Sequence, residues 1–141
     1  MVGDPETRKA MKAKALAKAQ TEARAAMAKN WIAENGVLTG AADGGTIGWA
    51  KNYENFELIL DLKTEGEAAM GIRSIPQIAL GGKNSGALTG NMLHDNAAPK
   101  AAANGPQEWN TMQVKVVSDR VTVVLNGVTT AENVILENAC N

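Results

Sequence analysis

Three stretches in which apolar and polar residues alternate constrain this chain more than any other feature. In Phe56-Glu57-Leu58-Ile59-Leu60-Asp61-Leu62-Lys63, four apolar side chains (Phe56, Leu58, Leu60, Leu62) share one face, and Glu57, Ile59, Asp61 and Lys63 share the other. Residues 109–117 repeat the pattern with Met112, Val114 and Val116, and residues 120–125 with Val121, Val123 and Leu125. A period of two marks a half-buried strand, because successive side chains point to opposite faces. Asn126-Gly127 supplies the dipeptide of a type I′ turn, so residues 128–130 are expected to return antiparallel and residues 133–136 to form one more strand. Residues 36–40, 46–49 and 87–89 read as further short strands between glycine turns. Such a pattern gives a mainly β fold, a sandwich or barrel, in a chain of 141 residues with room for one domain.

The N-terminal segment differs in kind. Asp4-Pro5-Glu6 is a good helix start: a capping carboxylate, a proline at the first helical position and an acid at the positive end of the dipole. Strong helix formers follow, with no Gly or Pro until Gly36. Leu16, Ala23, Met27 and Trp31 form a narrow apolar stripe that buries little area. Residues 1–29 carry seven Lys/Arg against three acidic residues, and the remainder seven against twelve. The helical part is therefore at +4 and the β part at -5. The basic face reads as a solvated one, since the stripe lacks the bulky residues of a membrane-inserting helix, and no nucleic-acid partner is expected. A helical extension over 1–30 and a β domain over 31–141 follow, without a transmembrane segment or a leader peptide.

Composition removes several chemistries. With one cysteine (Cys140) and one histidine (His94), neither an internal disulfide nor a Cys- or His-rich metal site is available. There is no Walker loop, no nucleophile elbow and no zincin histidine pair. Gly81-Gly82-Lys83-Asn84-Ser85-Gly86 has glycines but not the spacing of a phosphate cradle, and reads as a plain loop. Ser85, His94 and Asp95 do not assemble into a triad from sequence. Glu57 and Asp61 share a strand face but stand roughly 13 Å apart, too far for a glycosidase pair. A working pair would need a neighbouring strand, for instance one carrying Glu108. Asp61 and Lys63 read as residues that solvate an outer sheet face, while Arg73 beside Pro76-Gln77 is the kind of polar group that binds sugars on a curved sheet.

Six ordered segments resemble the 3-keto-disaccharide hydrolase family. They are Trp31-Ile32-Ala33-Glu34-Asn35-Gly36-Val37-Leu38, Lys51-Asn52-Tyr53-Glu54-Asn55-Phe56-Glu57-Leu58, Gly71-Ile72-Arg73-Ser74-Ile75-Pro76-Gln77, Ser85-Gly86-Ala87-Leu88, Glu108-Trp109-Asn110-Thr111, and Asp119-Arg120-Val121 running on to Leu125-Asn126-Gly127-Val128. The resemblance implies a concanavalin-like jelly-roll sandwich of antiparallel sheets, with the long Ala/Lys-rich N-terminal helix as an insertion found in some members. It implies a glycoside oxidised at carbon 3, cleaved by proton removal at carbon 2, elimination and hydration. That chemistry needs a base, a cation or divalent metal for the enolate oxygen, and an acid for the leaving group.

The resemblance carries Arg73 and Gln77 to the site, with Lys100 in the loop before Glu108; Asp61 is an inferred neighbour. Asp61 and Arg73 are thus the catalytic candidates, and Gln77, Lys100 and Glu108 the substrate-binding ones. Family members continue Pro-Gln-x-Gln-x-Trp-Asp where this chain has Pro76-Gln77-Ile78-Ala79-Leu80-Gly81-Gly82. That departure leaves two alternatives open: a non-catalytic carbohydrate-binding sandwich, and a structural or interaction protein. The family's opening and closing strand patterns are absent from this sequence, so a fragment or a pared-down relative is expected. With sheet edges left unpaired, a homo-oligomer is expected too, and the resemblance implies a periplasmic or secreted setting.

Overall fold

The computed structural model describes residues 9–41, 45–49, 51, 53–73, 76–91, 96 and 101–137. The chain divides into two compact units, Met1–Asn52 and Tyr53–Asn141.

In the first unit an 18-residue helix, α1 (Ala13–Asn30), is followed by strands β1 (Trp31–Glu34) and β2 (Val37–Gly40). The expected helix from Asp4 to Asn30 is corrected in its described part. Lys12 is extended (φ -62°, ψ 143°) and starts α1 as an N-cap without a side-chain bond. Asp4-Pro5-Glu6 lies outside the described residues. Trp31, expected to end the helical stripe, is extended at φ -128°, ψ 124°. It opens an antiparallel hairpin in which Trp31 pairs Gly40 and Glu34 pairs Val37. The turn is Asn35-Gly36, at φ 51° and 77°, the left-handed pair that a type I′ turn requires. The Trp31 indole lies against Gly40, where a Cβ would stand 2.7 Å from the ring. Residues 46–49, expected as a strand, pair with no strand among the described residues.

The second unit is mainly β. Strands β3 (Phe56–Leu62), β7 (Asn110–Val117), β8 (Arg120–Leu125) and β9 (Val128–Ile135) form an antiparallel sheet in the order β3-β7-β8-β9. Strands β4 (Ala69–Gly71), β5 (Gln77–Ala79) and β6 (Leu88–Thr89) form a second antiparallel sheet. The alternation expected for β3, β7 and β8 holds: Met112, Val114, Val116, Val121, Val123 and Leu125 are all fully buried. Ile78 and Leu88 of the second sheet belong to the same buried cluster, and Phe56, Leu58 and Leu60 pack on it. The apolar face of the four-stranded sheet is therefore covered by the three-stranded sheet.

Residues 128–130 and 133–135 are not two strands but lie along one continuous β9 that ends at Ile135, one residue short of the expected end. Its register with β8 slips twice: Val121 faces Val134, Val123 faces Ala131, and Val124 faces Thr129. Each slip gives β9 one extra residue, and Asn133 takes a left-handed φ of 52° at the first. Between the sheets, buried Thr130 donates its hydroxyl to the Gly86 carbonyl at 2.7 Å. No helix among the described residues is long and apolar enough to cross a membrane.

Candidate functional site on the outer face of the four-stranded sheet

The residues between the buried ones on β3 and β7 make an open, polar strip. Pairing sets Glu57 opposite Lys115, Ile59 opposite Gln113 and Asp61 opposite Thr111. The Thr111 hydroxyl donates to Asp61 Oδ1 at 2.6 Å. The Gln113 amide donates to Glu57 Oε1. One register step further on, Lys63 Nζ sits 5.3 Å from the centre of the Trp109 ring, a cation–π contact. Trp109 is 50% exposed and Ile59 65% exposed, so both present apolar area to solvent among the charges. From Glu57 to Lys63 the strip is roughly 20 Å long, since side chains on one face recur every second residue. Carboxylates, an amide, ammonium groups and one exposed indole are the groups that hydrogen-bond sugar hydroxyls and stack on a sugar ring.

The residues singled out from sequence fall in several places. Asp61 stands on this strip. Glu108 lies at the same end, one residue before Trp109, where its carboxylate accepts the Gly105 N–H at 2.8 Å and closes a short turn. That turn is tied to the end of β3, since Gln107 N–H donates to Thr64 O at 3.3 Å. Arg73, at φ 49°, spends its guanidinium on the backbone carbonyls of Ser118 and Glu54. Glu54 precedes β3, so Arg73 sits at the far end of that strand from Asp61, about 23 Å along it. Gln77 is exposed between buried Pro76 and Ile78, on the outer side of the three-stranded sheet. The shared core thus separates it from Asp61. Lys100, His94 and Cys140 lie outside the described residues. The structure brings Asp61 and Glu108 to one end of one sheet, and does not bring Arg73 or Gln77 to them.

Trp109, Thr111 and Gln113 were not singled out from sequence as site residues. The alternation of residues 109–117 was the available signal: if Met112 and Val114 point inward, Trp109, Thr111 and Gln113 point outward beside Asp61. Among the described residues, no group of three or more His, Cys, Asp and Glu side chains is placed to hold a metal ion. The strip does not fit a metal centre, so no step is derived through one.

Two antiparallel sheets over one core, with an open polar face on the larger sheet, define a β-sandwich domain. The profile of the 3-keto-alpha-glucoside-1,2-lyase-like domain matches residues 13–141, and the chain belongs to that family. Membership places its function in carbohydrate chemistry in general. No curated protein and no solved structure matches the chain.

Proposed function

We propose that this domain binds a glycoside oxidised at carbon 3 on the strip between β3 and β7 and cleaves it there. The observation that carries the reading is that Asp61, Lys63 and Trp109 share one exposed sheet face in a member of this family. A keto group at carbon 3 acidifies the hydrogen on carbon 2. Asp61 takes that proton, and the electron pair moves onto the carbon-3 oxygen as an enolate. The Lys63 ammonium, two residues along the same face, is the cation suited to holding that oxygen. When the carbonyl reforms, the bond from carbon 1 to the glycosidic oxygen breaks, leaving a double bond between carbons 1 and 2. The proton on Asp61 goes to the departing oxygen, and water then adds across the double bond. Trp109 offers the stacking surface for the ring, and Glu108 shapes the loop beside it. Lys63 takes the cationic role here because the Arg73 guanidinium is engaged at the other end of β3.

The test is incubation with a 3-keto-α-glucoside carrying a chromogenic leaving group. Release of the leaving group above the spontaneous rate is the expected result. Binding without release would overturn catalysis and leave the strip as a carbohydrate-binding face.

The same reading carries the jelly-roll arrangement and the periplasmic or secreted setting that the resemblance implies. It also carries self-association. The helix α1 has no buried residue, and among the described residues the β1–β2 hairpin is a sheet of two strands. A two-stranded hairpin and one basic helix gain little stability by themselves. The acidic β part of a second copy offers complementary charge. Light scattering after size exclusion is expected to give a multiple of 14.8 kDa; a monomer at that mass overturns self-association.

A further inference from the structure

Three asparagines surround the backbone that carries Trp109. Asn110, buried at the start of β7, accepts at Oδ1 from the Asn104 N–H (2.7 Å) and from Asn126 Nδ2 (2.8 Å). Its own amide donates to Glu108 O at 3.0 Å. The Asn104 amide donates to Trp109 O at 2.9 Å. Asn126 donates also to Ala102 O at 2.9 Å and accepts the Thr111 N–H at 2.9 Å. The carbonyls of residues 108 and 109 and the N–H of residue 111 are thereby all held by asparagine side chains. The turn alone does not demand this. At φ 49°, position 126 tolerates Asp or Gly as readily as Asn. Only an amide side chain both donates to two carbonyl oxygens and accepts a backbone N–H.

We propose that Asn104, Asn110 and Asn126 are positioning residues for the sugar site, fixing the Trp109 indole beside Lys63 and Asp61 before the ligand arrives. The proposal rests on the reading of Trp109 as the surface on which the sugar ring stacks. An indole half in solvent has little core packing to orient it, so its direction is set by the backbone that bears it and by the Lys63 contact. A side chain ordered in advance does not have to be immobilised on binding, and affinity gains accordingly.

The experiment uses the full chain with Trp31→Phe and Trp49→Phe, which leaves Trp109 as the sole tryptophan. Time-resolved fluorescence anisotropy of Trp109 is compared with and without Asn104→Ala. Asn104 is exposed, so this variant retains the fold; Asn126→Asp is the second variant, keeping the left-handed turn while removing the amide donors. Both are expected to add a fast nanosecond depolarisation to Trp109. Unchanged anisotropy in both overturns the proposal. Because that readout needs no sugar, it is separate from any failure of the glycoside reading. With a 3-keto-α-glucoside, Asn104→Ala is expected to weaken binding roughly three- to tenfold, and to do so no further once Trp109→Ala is present. An equal weakening in the Trp109→Ala background overturns the coupling to Trp109.

Discussion

Asp61→Asn is expected to lower turnover of a 3-keto-α-glucoside by roughly 10²- to 10⁴-fold, the range that a positioned general base contributes. Affinity for the same compound is expected to change less than about tenfold. The asymmetry follows from the geometry. An amide oxygen at position 61 still accepts the Thr111 hydroxyl that the carboxylate accepts at 2.6 Å, so the strip keeps its shape. What the amide lacks is basicity, and with it the ability to take the proton from carbon 2. Single-turnover kinetics with separate binding titrations check this. Turnover within a factor of three of the parent would remove Asp61 from the chemistry. A loss of affinity as large as the loss of turnover would make it a binding residue instead.

The largest expected effect on stability comes from a residue that looks dispensable in sequence. Gly81→Ala is expected to cost about 3 kcal/mol, at the upper end of what overpacking a filled interior costs. A Cβ at position 81 would stand 2.1 Å from Gly66 O and 2.6 Å from Thr64 Oγ1. The first of these is backbone and cannot rotate aside. The segment is also pinned, since Leu80 N–H donates to Ala68 O at 2.8 Å and Leu80 O accepts the Thr64 hydroxyl at 3.4 Å. Gly66→Ala is the control: nothing lies within 4 Å of its Cβ position, so its cost is expected within about 0.5 kcal/mol. Urea unfolding of the two variants decides the matter. Equal midpoints would contradict the close approach of the two loops. The glycines that superficially suggested a phosphate cradle thus have a packing reason at position 81.

How much of this was legible in the sequence differs from element to element. Strands β3, β7 and β8 are long enough for their alternation to declare both strand and core face, and Asn126-Gly127 declares the β8–β9 turn. Asn35-Gly36 is the same dipeptide in the same conformation, yet its hairpin was hidden. The run into it is rich in helix formers, and Ala33 and Glu34 continue that local preference. Pairing with β2 overrides it. Strands β4 and β5 have three residues each, too few for a period to show. In β9 the two extra residues break the alternation in mid-strand, so one strand read as two.

The site shows the same division. The outer-face position of Asp61 and Lys63 follows from the period of β3, and that of Trp109 was available from β7. The surroundings of Arg73 and Gln77 depend on partners far away in sequence. The Arg73 guanidinium meets Ser118 and Glu54, and Gln77 is turned away from Asp61 by the burial of Ile78. No local pattern encodes either placement.

The central claim is that carbohydrate is handled on the β3–β7 strip. Titration of isotope-labelled protein with a 3-keto-α-glucoside, followed by backbone amide chemical shifts, tests it most directly. The expected result is a set of saturable shifts at Asp61, Lys63, Trp109, Thr111 and Gln113. Shifts confined to the three-stranded sheet around Gln77 and Thr89, or no shifts at saturating sugar, would contradict it.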